Sequence, residues 1–205
     1  KISSDTNLSG VLGLEKFRGQ FINGSITING NVTMKASQIT TTTYFSVASG
    51  NKVTFTGTDT ELLSLLNTNF SNLSGLAVSD IIVSDSSTIL ASTLNTLATT
   101  HSSSNVYVGA TAITGSAADV IAVYDKTNLD NLGNENITLT DGDNNEISAT
   151  NLTLIDSDTT GTVTVSNNIK ITGTSAEVAA AVADVDTFSG TPTATLGDAH
   201  TLAEL

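Results

Sequence analysis

Three acidic residues recur in register along this chain, each three positions after a hydroxyl. Phe55-Thr56-Gly57-Thr58-Asp59-Thr60-Glu61-Leu62 matches Ile113-Thr114-Gly115-Ser116-Ala117-Ala118-Asp119-Val120. Both match Ile171-Thr172-Gly173-Thr174-Ser175-Ala176-Glu177-Val178, and the even spacing of the three glycines sets a 58-residue period. Carboxylates in register could transfer protons or hold cations. Their neighbours give them another task. In each octet the apolar residue and Thr end a strand, and the glycine is expected to make the turn. Thr58, Ser116 and Thr174 are then N-cap residues. Glu61, Asp119 and Glu177 supply the reciprocal half of a capping box, where the helix dipole also favours a negative charge. We read all six as structural helix caps and none as catalytic.

The rest of the chemistry is sparse. The two histidines, His101 and His200, fall at different places in the period and form no repeated ligand set. No Gly-x-Ser-x-Gly elbow occurs, and no glycine-rich loop precedes a Lys-Ser/Thr pair. The best metal candidate is Asp141-Gly142-Asp143-Asn144-Asn145-Glu146, where Asp141, Asp143 and Asn145 offer calcium-type oxygens. A twelve-residue calcium loop would need a bidentate Glu where this chain has Leu152. A turn rich in Asp and Asn also forms without metal. Asp156-Ser157-Asp158 and Asp184-Val185-Asp186 are weaker candidates of the same kind.

The elements that position these residues follow from the periodicity. Leu62, Leu65 and Leu66, then Val120, Val123 and Tyr124, then Val178, Ala181 and Val182 give each octet a short helix with one buried face. Leu94 with Leu97, and Leu152 with Ile155, mark a second short helix. Ile81-Ile82-Val83, Tyr107-Val108 and Val163 with Val165 mark strands. The period reads strand, helix, strand, helix. Strands that recur after helical crossovers pair in parallel. The expected fold is a β-rich α/β solenoid of short parallel strands alternating with short helices. Its repeats cover about 53–110, 111–168 and an incomplete 169–205. The alternative is a pure parallel β-helix whose helices are only turns.

Residues 1–52 lack the octet. Asn23-Gly24 and Asn29-Gly30 punctuate short β-runs, a hairpin or β-turn signal, and Tyr44-Phe45-Ser46-Val47 reads as another strand. This segment is expected to be a β-rich cap or an assembly segment. At the other end, Thr201 and Glu204 begin a further capping box. That fits a longer repeat array, or an end covered by a partner.

Composition narrows the function. The 205 residues carry 7 basic and 20 acidic side chains, net −13, and include 35 Thr, 24 Ser and no Cys. That charge disfavours nucleic acid and anionic membranes. Absence of Cys excludes disulfides, thiolate metal sites and thiol catalysis. No apolar run reaches the roughly 18 residues of a membrane span. No N-terminal signal pattern is present, which fits a mature or trimmed chain or another export signal. The charge is uneven. Residues 1–52 hold five basic groups against two acidic ones, net +3, whereas 53–205 hold two against 18, net −16. Lys16, Arg18, Lys35 and Lys52 are therefore candidate assembly residues, docking on the acidic body of another copy.

Several phrases carry a resemblance: Leu132-Gly133-Asn134-Glu135-Asn136-Ile137-Thr138-Leu139-Thr140-Asp141, Thr159-Thr160-Gly161-Thr162-Val163 and Thr172-Gly173-Thr174-Ser175-Ala176-Glu177-Val178. Over about residues 53–205 the chain resembles tandem repeats of very large extracellular surface proteins of marine cyanobacteria and related bacteria. The resemblance implies a structural or adhesive role outside the cell and transfers no catalytic residue. The expected function is a structural subunit of an extracellular fibre, sheath or surface layer, a homopolymer assembled head to tail. The alternative is an adhesin stalk or phage tail-fibre segment that binds surface glycans. No enzymatic activity and no cofactor are expected, apart from the calcium candidate.

Overall fold

Five α-helices alternate with short strands in a computed structural model that describes residues 6–7, 26–28, 31–38, 45–47, 52–68, 80–84, 87–102 and 104–198. The helices are α1 (Asp59–Thr68), α2 (Ala91–Thr100), α3 (Ala117–Tyr124), α4 (Ala149–Asp158) and α5 (Ser175–Asp184). Helices α1, α3 and α5 follow the three octets; α2 and α4 are the second helices of the period. All five are real helices, so the purely β alternative does not describe this chain.

The early strands are β1 (Thr6–Asn7), β2 (Ile26–Ile28), β3 (Val32–Lys35), β4 (Phe45–Val47), β5 (Val53–Gly57), β6 (Asp80–Val83), β7 (Thr88–Leu90) and β8 (Val106–Val108). The later ones are β9 (Ala112–Gly115), β10 (Leu129–Asp130), β11 (Asn136–Leu139), β12 (Glu146–Ser148), β13 (Val163–Val165), β14 (Lys170–Gly173), β15 (Thr187–Phe188) and β16 (Thr193–Leu196). They form three parallel sheets, in the orders β1-β3-β5-β6-β8-β10, β15-β13-β11-β9-β7 and β12-β14-β16, and a parallel pair β2-β4. Among the described residues the expected hairpin does not form. Instead of pairing with each other, β2 pairs with β4, and β3 with β1 and β5, all in parallel. The long-range ladder overrides the local turn signal.

The chain divides into two compact units that it visits alternately. One unit comprises 1–86, 96–109 and 128–131 and holds the six-stranded sheet. The other comprises 87–95, 110–127 and 132–205 and holds the five- and three-stranded sheets.

Each described strand pairs with one 19 to 26 residues away in sequence, most of them 23 to 26. Thr114 stands beside Thr138, 24 residues on, and Thr138 beside Thr164. Asparagines at the turns reinforce the offset. Asn136 Oδ1 accepts from Thr162 N at 3.0 Å, 26 residues on, and Asn168 Oδ1 from Thr191 N at 2.8 Å, 23 residues on. The offset of the ladder is less than half the period set by the octet glycines and does not divide it evenly. Equivalent octets therefore end strands in three different sheets: β5 in the six-stranded, β9 in the five-stranded and β14 in the three-stranded.

The octet glycine has a different job from the expected turn. A methyl on Gly115 would lie 2.9 Å from Ala91 Cβ, and one on Gly173 would lie 3.1 Å from Ala149 Cβ. Gly57 meets Ala36 in the same way at 3.1 Å. The glycine thus lets its strand end approach a small buried residue on the preceding turn of chain.

Strand side chains alternate between core and surface, as a ladder with one covered face requires. Ile113, Ile137 and Val163 stack across β9, β11 and β13; Ile147 and Ile171 stack across β12 and β14. Leu152 and Ile155 from α4, with Val120 and Val123 from α3, complete that unit's core. In the other unit Val53, Phe55, Ile81, Val83, Val106 and Val108 are buried along β5, β6 and β8, and Leu62 and Leu65 are the buried face of α1, which packs on β5 and β6. Each buried aliphatic side chain contributes roughly 1.5–3 kcal/mol. Ile137→Ala should lower the unfolding free energy by about 3 kcal/mol in urea titrations, whereas Leu154→Ala, at 42% exposure, should change it by less than about 0.5 kcal/mol.

Candidate functional site

The octet caps are engaged at their helix starts. In α1, Glu61 N donates to Thr58 Oγ1 at 3.2 Å, and Thr58 N donates to Glu61 Oε2 at 3.1 Å. In α5, Thr174 and Glu177 form the same reciprocal box. In α3, Asp119 N donates to Ser116 Oγ at 3.1 Å. The shorter Asp119 side chain takes the serine hydroxyl at 2.8 Å instead of the backbone N–H.

A second cap comes from further along the chain. Asp141 Oδ2 accepts from Ala117 N at 2.8 Å, and Asp198 Oδ1 accepts from Ser175 N at 2.8 Å. These aspartates lie 24 and 23 residues beyond the helix starts they cap.

Asp141 is also one of the three calcium candidates. Asp143 Oδ1 accepts from Asn168 N at 2.9 Å, 25 residues later, and the Asn145 side chain is exposed. The turn carrying these residues, with Asn144 at φ +64°, is tied to earlier chain through Asp141 and to later chain through Asp143. The two carboxylates thus serve separate backbone partners. Among the described residues, no group of three His, Asp or Glu side chains is placed to hold a metal ion.

Of the candidate assembly residues, Lys35 ends β3 and is exposed, and Lys52 Nζ lies 3.4 Å from Asp80 Oδ2. Lys16, Arg18 and His200, together with Thr201 and Glu204, lie outside the described residues. His101 is buried after α2, and its carbonyl accepts from Asn128 Nδ2 at 3.2 Å. His101 occupies the same place in its period as Thr159 does in the next.

The corner around Glu135 holds the chain's least expected chemistry. Glu135 is fully buried. Its Oε2 accepts from Gly133 N at 2.9 Å, Asn134 N at 3.2 Å and Tyr124 Oη at 3.2 Å. Its Oε1 is equally buried and has no hydrogen-bond partner. Two of the resemblance phrases meet here. Thr159 Oγ1 donates to the Glu135 carbonyl at 2.7 Å, and Thr160 N donates to the Gly133 carbonyl at 2.9 Å. Gly133 adopts φ +111°, and a methyl on Gly161 would lie 2.2 Å from the Glu135 carbonyl oxygen. Only glycine fits at Gly161.

Burial, then the Glu135 charge, pushes the Tyr124 phenol up, so it stays protonated at neutral pH and is no base. Burial, then the charge of Asp125, raises Asp158. Burial, then Asp184 and Asp186, raises Asp156. Glu177 is lowered by the Thr174 N–H and hydroxyl. It helps line a shallow cleft with Thr150, Thr153 and Ala180.

No protein-family model matches this chain, and neither a curated protein nor a solved structure matches it.

The two acidic environments give opposite pH dependences. The raised Asp156 favours the fold in its protonated form, an advantage lost as pH rises through its folded pKa. The lowered Glu177 helps the fold when ionised, an advantage lost as pH falls through its folded pKa. At pH 7, Asp156→Asn should raise Tm by roughly 1–3 °C and Glu177→Gln should lower it. Thermal unfolding near pH 2 should show both differences much reduced.

Proposed function

We propose that this chain is a structural repeat protein whose units are built as solenoid coils, one subunit of an extracellular fibre, sheath or surface layer. The observation that carries the reading is that every described strand pairing is parallel and joins segments about one coil apart. Each period of the sequence would hold two such coils and one further side. That accounts for the passage of equivalent octets through three sheets. The hydroxyls and carboxylates of the repeat serve backbone groups, which suits a scaffold better than an enzyme. The surface-protein resemblance points the same way.

Head-to-tail association would follow from charge. Residues 1–52, at net +3, would dock on the −16 body of another copy, with Lys16, Arg18 and Lys35 as contacts. Residues 1–52 would then act as cap or assembly segment. A heterologous contact of this kind propagates rather than closing.

A glycan-binding stalk is a second reading, favoured by one surface row. Lys35, Thr56, Ile82, Tyr107 and Asp130 stand side by side across β3, β5, β6, β8 and β10. An aromatic ring beside an aliphatic side chain, with charges at either end of the row, suits a sugar's apolar face and its hydroxyls.

Negative-stain electron microscopy of the full chain tests the first reading. Filaments should form at low salt, shorten as salt screens the charges, and vanish in Lys16→Glu/Arg18→Glu. Single particles under all conditions would overturn head-to-tail assembly. Glycan binding lost in Tyr107→Ala would then support the stalk.

A further inference from the structure

We propose that the buried Glu135 corner binds calcium, with Glu135 Oε1 and Asp158 as its carboxylate ligands. This site is separate from the Asp141–Asn145 turn and does not depend on the assembly reading.

The starting point is the asymmetry of one carboxylate. All three donors reach Oε2, and Oε1 is left fully buried without a partner. A buried anionic oxygen with no donor carries a desolvation penalty that a folded chain rarely leaves unanswered. Its surroundings sharpen the deficit. Asp158 and Glu135 both act on the same Tyr124 phenol, and Asp125 adds a third negative charge beside Asp158. Asp158 stands at this corner, its carbonyl oxygen 3.7 Å from where a methyl on Gly133 would lie, and Oε1 is an oxygen that no N–H or O–H has claimed; a cation is the partner that answers it.

The available atoms select the type of cation. Tyr124, Asp158 and Glu135 offer only oxygen, which suits a hard ion. Two carboxylates do not make a cage alone. Calcium accepts six to eight oxygens in loose geometry and takes carbonyls and water as readily as carboxylates. Beyond the carbonyls that Thr159 and Thr160 engage, the irregular segment before Asn136 also carries those of Leu132 and Asn134. Magnesium requires a stricter octahedron and sheds water reluctantly, so it is the poorer fit. The corner is also set before any ion arrives. Thr159 and Thr160 hold the segment by its carbonyls, and the missing side chain of Gly161 admits it.

The test uses the full chain, stripped with a chelator and titrated with calcium chloride alone at constant ionic strength. With no Trp, emission comes from Tyr44, Tyr107 and Tyr124 alone, and the part of it lost in Tyr124→Phe reports on this corner. Calcium should change the emission saturably, and should raise Tm with the logarithm of its concentration, by about 5–10 °C at a hundredfold excess over the emission midpoint. Magnesium should do so at least tenfold more weakly. Glu135→Gln should abolish both responses, and Asp158→Asn should weaken the midpoint about tenfold. No saturable response would overturn the proposal, and so would the same response in Glu135→Gln, which would place the ion elsewhere. Should Glu135→Gln not fold, Asp158→Asn decides, because it leaves the Glu135 hydrogen bonds intact. An unchanged midpoint in that variant overturns the site.

Discussion

The parallel backbone ladder, which pairs strands 19 to 26 residues apart, is the constraint on which everything else described in this chain depends. It decides which residues become neighbours. Through it Ile113, Ile137 and Val163 stack into a core. Through it Asn136 and Asn168 find backbone partners on the next turn of chain. It also brings Gly115 against Ala91 and Gly161 against the Glu135 carbonyl. The core that these short strands and helices bury is mostly Ile, Val, Leu and Ala. The wealth of Asn and Thr follows from the same geometry, since every turn must satisfy backbone groups of an adjacent turn.

What the amino-acid order reveals and what it hides divide along the distance over which the interactions act. The capped helices were legible, because a hydroxyl, an acid three residues later and an apolar stripe are local signals. The second helices were legible from Leu94 with Leu97 and Leu152 with Ile155. Strands β7 and β12, which lead into those helices, were not, because each buries a single side chain, Ile89 or Ile147, and shows no alternation, whereas the equally short β8 and β13 bury two. The hairpin expected around Asn29-Gly30 failed for a related reason: turn chemistry cannot announce that a better partner lies elsewhere in the chain. The offset of the ladder is only faintly legible: Ser148-Ala149-Thr150-Asn151-Leu152 is a weaker copy, 26 residues earlier, of Thr174-Ser175-Ala176-Glu177-Val178. The ladder consists of backbone hydrogen bonds, which need no particular side chain, so its sequence repeat is weak.

The same division runs through the chemistry. Asp141 and Asp143 looked like cation ligands because they are close in sequence. In space their carboxylates serve backbone groups on different turns of the chain. Glu135 drew no attention because it stands among Asn and Gly in a stretch that reads as a polar loop. Its burial depends on Thr159 and Gly161, residues recognisable in sequence only as part of a recurring phrase. Two of the three phrases that carry the resemblance to surface-protein repeats, around Glu135 and around Thr159 to Gly161, are thus clasped together. Such a clasp is a packing requirement, which makes the phrase distinctive and leaves its function unspecified.

The distant caps have a consequence for how the chain is made. Helix α3 has its own Ser116 cap at once, but the Asp141 cap exists only after 24 more residues have been synthesised. Helix α5 likewise waits for Asp198. As the nascent chain leaves the ribosome, each of these helices is finished by chain that follows it, so order is ratified one turn behind the point of growth. A nascent chain stalled with α3 outside the tunnel and Asp141 still inside it would hold that helix by its Ser116 cap alone.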